Sequence, residues 1–131
     1  MNGGDTFEFE DSEVQAVHAE GDLLCIVFSA ASVQRSTGPG SANLIGHLKG
    51  LTLQLAGAVW VGEPGDGIGR LSEGALSIGT SRYTRVPLPF TSSEAAALAL
   101  RFANGTTLSV RASSVMFQLG SASSFVESSA C

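Results

Sequence analysis

The residues in this chain that come nearest to a chemical site are Arg70, Arg82, Tyr83 and Arg85. A guanidinium fork reads carboxylate or phosphate, and a phenol offers contact area at low entropic cost, so the set fits a protein interface or a site for a small anionic ligand. On an extended segment the same arginines also serve simply to keep a strand edge from pairing with another chain. Trp60 joins them as a candidate for a pocket rim or a contact between subunits. It falls on the parity opposite Leu51, Leu53, Leu55, Val59 and Val61, which reads as the apolar side of a long strand.

Catalytic and metal chemistry find less. The loop Gly62-Glu63-Pro64-Gly65-Asp66-Gly67-Ile68-Gly69 is rich in glycine. It holds no G-x-G-x-x-G and no Gly-Lys-Ser/Thr, and no helix follows whose N-terminus could hold a phosphate. His18 and His47 are the two histidines, and neither lies at ligand spacing from a Cys or a carboxylate cluster, so no metal and no cofactor is expected. Serines are many, but none sits in a G-x-S-x-G elbow. Glu8 and Glu10 share a strand face, yet acid/base work needs a cleft that sets two carboxyls apart, and no cleft is visible in sequence.

Charge is unevenly placed. Seven of the twelve acids lie in the first 22 residues, and no Lys or Arg precedes Arg35. A net charge of −5 opposes nucleic-acid binding, which needs basic surface to displace counterions. The acidic start is expected to be solvated or to lie beside Arg101, Arg111 or the Arg82/Arg85 pair. No apolar run reaches the roughly 18 residues that cross a bilayer as a helix. The start lacks the basic segment and apolar core of a secretory signal. Cys25 sits within an apolar strand and Cys131 at the end, so they read as two thiols and not a disulfide framework. A cytoplasmic setting is the expectation.

The elements that must position these residues are strands. The clearest signal is Leu98 to Arg111, two alternating runs joined at Asn104-Gly105. A two-residue turn there opposes Leu100 to Ser109 and Leu98 to Arg111, setting core residues against polar ones. A three-residue loop, Ala103-Asn104-Gly105, instead opposes Leu100 to Leu108, Leu98 to Val110 and Ala96 to Ala112. The second register makes the apolar sets coincide and requires Gly105 in the left-handed region. A helix competes for the same residues, since Thr91-Ser92-Ser93-Glu94 has capping-box spacing and an Ala-rich run follows. That helix would be apolar all round and would leave Thr106 to Val110 unpaired, so the strand is preferred.

An earlier hairpin is read over residues 14–28. With Gly21 as the left-handed residue of a three-residue loop, Ala16 faces Leu24 and Val14 faces Ile26. Ser36 to Ser41 is a loop of breakers. Leu51 to Val61 is one long strand, bent at Gly57, and further strands follow near Gly74 to Gly79 and Ser114 to Leu119. Arg82 to Phe90 is extended and broken by Pro87 and Pro89, which belong on an edge. The glycine-rich loop reads as a mobile turn, and the Ser-rich tail over 120–131 either docks or frays.

The opening Phe9-Glu10-Asp11-Ser12-Glu13-Val14 resembles small bacterial all-β domains of unknown function, some associated with immunity proteins. These start with an aromatic-x-Asp-Ser pattern before a first hairpin, often with His where Glu10 stands. The resemblance covers about the first thirty residues, implies a β fold, and carries over no site.

With 131 residues the chain fits one domain. The expected architecture is all-β, an antiparallel sandwich or partly open barrel of about eight to nine strands. The expected role is a non-enzymatic binding or interaction domain that self-associates or meets a protein partner, with no membrane or nucleic-acid contact. The alternative is a small-ligand-binding β-barrel, or a hydrolase with its site near the Gly62 to Arg70 loop.

Overall fold

The fold was analysed in a computed structural model that describes residues 5–35 and 44–127. The loop read at Ser36 to Ser41, the first four residues and Cys131 lie outside the described residues. Eleven strands form one antiparallel sheet: β1 Asp5–Glu20, β2 Leu23–Arg35, β3 Leu44–Ala56, β4 Val59–Val61, β5 Gly69–Ile78, β6 Ser81–Tyr83, β7 Arg85–Leu88, β8 Phe90–Ser92, β9 Ala96–Phe102, β10 Thr107–Ala112 and β11 Ser114–Glu127. Their order is β4-β10-β9-β5-β1-β2-β3-β11-β8, with β6 on β5 and β7 on β1, and the sheet does not close into a barrel. The strands outnumber the expected eight to nine because Leu51 to Val61 divides between β3 and β4 and the proline-broken Arg82 to Phe90 makes three short strands. Among the described residues no helix is long and apolar enough to cross a membrane.

The sheet is bent over its own inner face. Phe7 in β1 and Phe117 in β11 lie three strand spacings apart, roughly 14 Å on a flat sheet, yet their ring centroids are 5.2 Å apart. The bend has a local cause in a row of irregularities across four neighbouring strands. Between β1 and β2 the pairing jumps from Glu8↔Ser32 to Glu13↔Ala30. Between β2 and β3 the pairing pauses from Val27↔Thr52 to Ala31↔Leu48 without changing register, and between β3 and β11 it jumps from Leu119↔Leu51 to Ser124↔Lys49. Bulges raise twist and bend the strands that carry them, and here the bulges of the β1–β2 and β3–β11 pairs flank the gap in the β2–β3 ladder to make a fold line. Inside the fold Phe7, Phe9, Phe28, Leu53, Leu55, Leu76 and Leu98 are buried at 0–1% exposure. Each such side chain contributes about 1.5–3 kcal/mol on removal from water. Gly74 lets β5 close on this core, because a Cβ there would stand 2.8 Å from Phe9 Cβ and 3.0 Å from Leu100 Cδ2.

The hairpin of β9 and β10 has the expected three-residue loop. Leu100 pairs with Leu108, Leu98 with Val110 and Ala96 with Ala112. Gly105 has φ +94° and donates its N–H to Phe102 O at 2.9 Å, while Asn104 Oδ1 accepts from Thr106 N–H at 2.9 Å. The helix that competed for these residues does not form. In the first hairpin Gly21 is left-handed, φ +61°, but the loop is two residues long. Glu20 therefore pairs with Leu23 and Val17 with Ile26, while Val14 meets Phe28 and Ala16 meets Val27. The expected register fails at the turn itself, because a two-residue Gly21-Asp22 loop offsets every pair from Glu20↔Leu23 to Ala16↔Val27, and bulging between Glu13 and Ala16 then shifts Val14 by one residue.

Two tight corners lead the chain from one part of the sheet to another. At the first, Gly57 with φ +60° separates β3 from β4. At the second, Ser113 separates β10 from β11 and donates its N–H to Ala56 O at 2.8 Å. The corners touch, since a Cβ on Gly57 would stand 2.5 Å from Ser113 Oγ. Each also reverses strand parity. Leu53 and Leu55 face inward but so does Ala58, and Val110 and Ala112 face inward but so does Val115.

Candidate functional site

The parity change at Gly57 decides the face of β4. Val59 and Val61, expected in the core, are 66% and 77% exposed, whereas Trp60, expected on the wetter side, packs against the core. β4 ends the sheet, pairing with β10 alone through Val59↔Arg111, Trp60↔Val110 and Val61↔Ser109. Rows of outward residues continue from it across three strands. One runs Val61, Ser109, Ala99, Ala75, and the next runs Val59, Arg111, Ala97, Ser77. Small side chains at most of these positions keep the face low.

Two adjoining grooves of about 710 and 460 Å³ lie on this face and share Ala75, Arg82, Ala99 and Ser109. The larger is walled by Glu8, Glu10, Thr84 and Arg85 from β1 and the β6 to β7 segment, and by Glu73 and Arg101 beyond the small residues. The smaller reaches Val59, Trp60, Val61 and Arg111. Of the residues singled out from sequence, Arg82 and Arg85 therefore come to one surface, which Trp60 borders from β4 while its ring packs against the core. Tyr83 does not, because alternation turns it to the inner face, where its ring meets Phe90 at 5.7 Å. Arg70 is elsewhere too, with Nη1 donating to Asp11 Oδ1 at 2.9 Å.

Electrostatics divides the surface. Arg85 Nε lies 2.6 Å from Glu8 Oε2 and Arg101 Nη1 lies 3.2 Å from Glu73 Oε2, so charge at the larger groove is mostly matched in place. Asp5 takes both Nε and Nη2 of Arg35 at 2.7 and 3.0 Å. The acidic start is thus complemented from within, by Arg35, Arg70 and Arg85. Arg82 and Arg111 are in no ion pair among the described residues, and both line the smaller groove.

The glycine-rich loop contributes to neither groove. It closes as a 3-10 turn at Pro64–Asp66, with Gly67 N–H donating to Pro64 O at 3.0 Å. A Cβ on Gly67 would stand 2.9 Å from Val17 Cγ2, so the glycine serves close approach to the core and forms no phosphate cradle. Among the described residues no group of three His, Cys, Asp or Glu could hold a metal ion. Cys25 is half-buried, and burial, then the nearby Glu20 charge, pushes its thiol pKa up, which disfavours the nucleophilic thiolate.

The Phe9-Glu10-Asp11-Ser12 motif forms the bulge of β1. Asp11 has φ +71°, the one left-handed non-glycine residue described. Ser12 is fully buried; its Oγ–H donates to Glu8 O at 2.6 Å and its Oγ accepts from Ser32 N–H at 2.7 Å. These residues act in the fold, at the line along which the sheet bends.

Sequence reasoning missed Glu8, Glu73, Arg101 and Arg111 as members of the surface. A signal for part of it was present, since the β9–β10 register already sets Arg101, Ala99, Ala97, Ser109 and Arg111 on one face. Compared with protein-family models, curated proteins and solved structures, the chain matches none.

Proposed function

We propose that this chain is a non-enzymatic protein-interaction domain that self-associates through the open edge of β4. One observation carries the reading: β4 is a terminal strand that presents Val59 and Val61 at 66% and 77% exposure. Soluble proteins blunt such edges with shortness, charge, proline, bulges or cover; β4 is three residues long, but Val59-Trp60-Val61 has no charge and no proline. The Val-Trp-Val order is symmetric about Trp60. Antiparallel pairing with a second copy on a twofold axis through Trp60 sets Val59 opposite Val61 of the partner subunit, the self-complementary contact that a closed dimer needs.

Sedimentation velocity of the wild type and of Val61→Lys at micromolar concentration tests the proposal. The expected result is a dimer for the wild type and a monomer for the variant, with unchanged far-UV circular dichroism because Val61 is an exposed position. A monomeric wild type overturns self-association, and a dimeric Val61→Lys chain refutes β4 as its contact.

A further inference from the structure

We propose that the outer face of β5, β9 and β10 docks an extended acidic segment of a partner protein, with Arg82 and Arg111 receiving its carboxylates. The first support is the shape of the surface. Ala75, Ala97, Ala99, Ser77 and Ser109 floor two continuous grooves, and side chains this small leave room for another backbone to lie close.

Charge complementarity chooses the partner. Glu8 and Glu73 are held by Arg85 and Arg101, whereas no acid lines the smaller groove, and Arg82 and Arg111 meet no ion partner among the described residues. A chain of net charge −5 therefore carries a local positive site with apolar residues beside it. Guanidinium groups there receive carboxylates in bidentate contacts, and the exposed Val59 and Val61 accept aliphatic side chains of the same segment. Nucleic acid fits poorly, because Glu8, Glu10 and Glu73 line the adjoining groove and would face its phosphates. A second copy stacked face to face offers Glu10 as its one groove acid outside an ion pair, too little for two arginines. Both proposals involve Val59 and Val61, but docking rests on Arg82 and Arg111, which lie outside β4, so the inference does not depend on the dimer.

Trp60 is the single tryptophan and lines the smaller groove, which makes its emission a built-in reporter. The full chain is titrated at constant ionic strength with the peptide Glu-Val-Glu-Val-Glu-Ser, with Lys-Val-Lys-Val-Lys-Ser, and with sodium phosphate. The expected result is a saturable change in Trp60 emission with the acidic peptide alone. The Arg82→Gln/Arg111→Gln double variant should bind it about tenfold or more weakly, the scale of one lost charge-assisted contact. No saturation with the acidic peptide, an equal response to the basic one, or undiminished binding by the double variant overturns the proposal. An equal response to phosphate overturns it in favour of a small-anion site. Sedimentation of the double variant separates loss of docking from loss of the dimer, since neither arginine lies in β4.

Discussion

Replacing Ser12 by Ala removes one hydroxyl from the line along which the sheet bends. The Ser12 side chain bridges two backbones, donating to Glu8 O at 2.6 Å and accepting from Ser32 N–H at 2.7 Å. Glu8 and Ser32 are the last ladder partners before the bulge, and the Ser12 hydroxyl links them where the regular pairing stops. The Ser32 contact is buried, and an N–H left there without a partner costs about 1–3 kcal/mol. The Glu8 carbonyl is only partly buried, so its lost bond adds about 0.5–1.5 kcal/mol. Ser12→Ala should therefore lose roughly 2–4 kcal/mol in a urea titration followed by circular dichroism. Asp11→Gly is the informative comparison. It gives up a pair whose side chains are 58% and 62% exposed, and exposed pairs contribute at most about 1 kcal/mol. It also releases the strain of φ +71°, a gain of about 1–2 kcal/mol, so the net change should be near zero or slightly stabilising. Stability of Ser12→Ala within about 0.5 kcal/mol of wild type, or a larger loss in Asp11→Gly than in Ser12→Ala, would refute this account of the bulge.

Gly105→Ala and Gly57→Ala separate two reasons for glycine. Both positions have positive φ, but a Cβ on Gly105 meets open space, whereas one on Gly57 lies 2.5 Å from Ser113 Oγ. The first variant should lose about 1 kcal/mol and the second at least twice as much in chemical denaturation. Ser113→Gly in the Gly57→Ala background should recover part of the excess. Cys25 should alkylate with iodoacetamide more slowly than a thiol in a short peptide, because burial and then Glu20 hold its folded-state pKa above the ordinary 9.0. The folded chain keeps that proton more tightly than the unfolded one, so its share of stability is intact below pH 9 and is lost as pH rises above it. The difference in stability between wild type and Cys25→Ala should shrink accordingly.

What was legible in sequence is what neighbours along the chain decide. The β9–β10 hairpin follows from Asn104-Gly105 and two clean alternations, and its register came out residue by residue because no bulge interrupts it. The first hairpin shows the limit. Gly21 marks the turn, but the loop proves to be two residues long, and a bulge beyond it, where Ser12 reaches across to Ser32 twenty residues away, moves Val14 again to face Phe28. Tyr83 could have been separated from Arg82 by strand alternation alone. The grooves could not have been assembled that way, because Glu8, Val61, Glu73, Arg82 and Arg111 meet only through a strand order that local pattern does not encode.

The corner at Gly57 links the fold to the proposed surfaces. Had the alternation of Leu51, Leu53 and Leu55 continued, Val59 and Val61 would point into the core and Trp60 outward. The left-handed turn spends one extra residue, which brings Ala58 inward and carries the two valines to the outside of a terminal strand. That is a costly place for valine in a protein that only has to fold, since it leaves apolar surface in water at an open edge. The corner is not incidental either, because Ser113 N–H bonds to Ala56 O and the Ser113 side chain fills the space that any Cβ at Gly57 would need. Two distant segments thus cooperate to hold the valines out beside Arg111 and Arg82. A variant that straightens this corner should lose self-association and peptide docking together, whereas Val61→Lys should abolish the first and the arginine variants only the second.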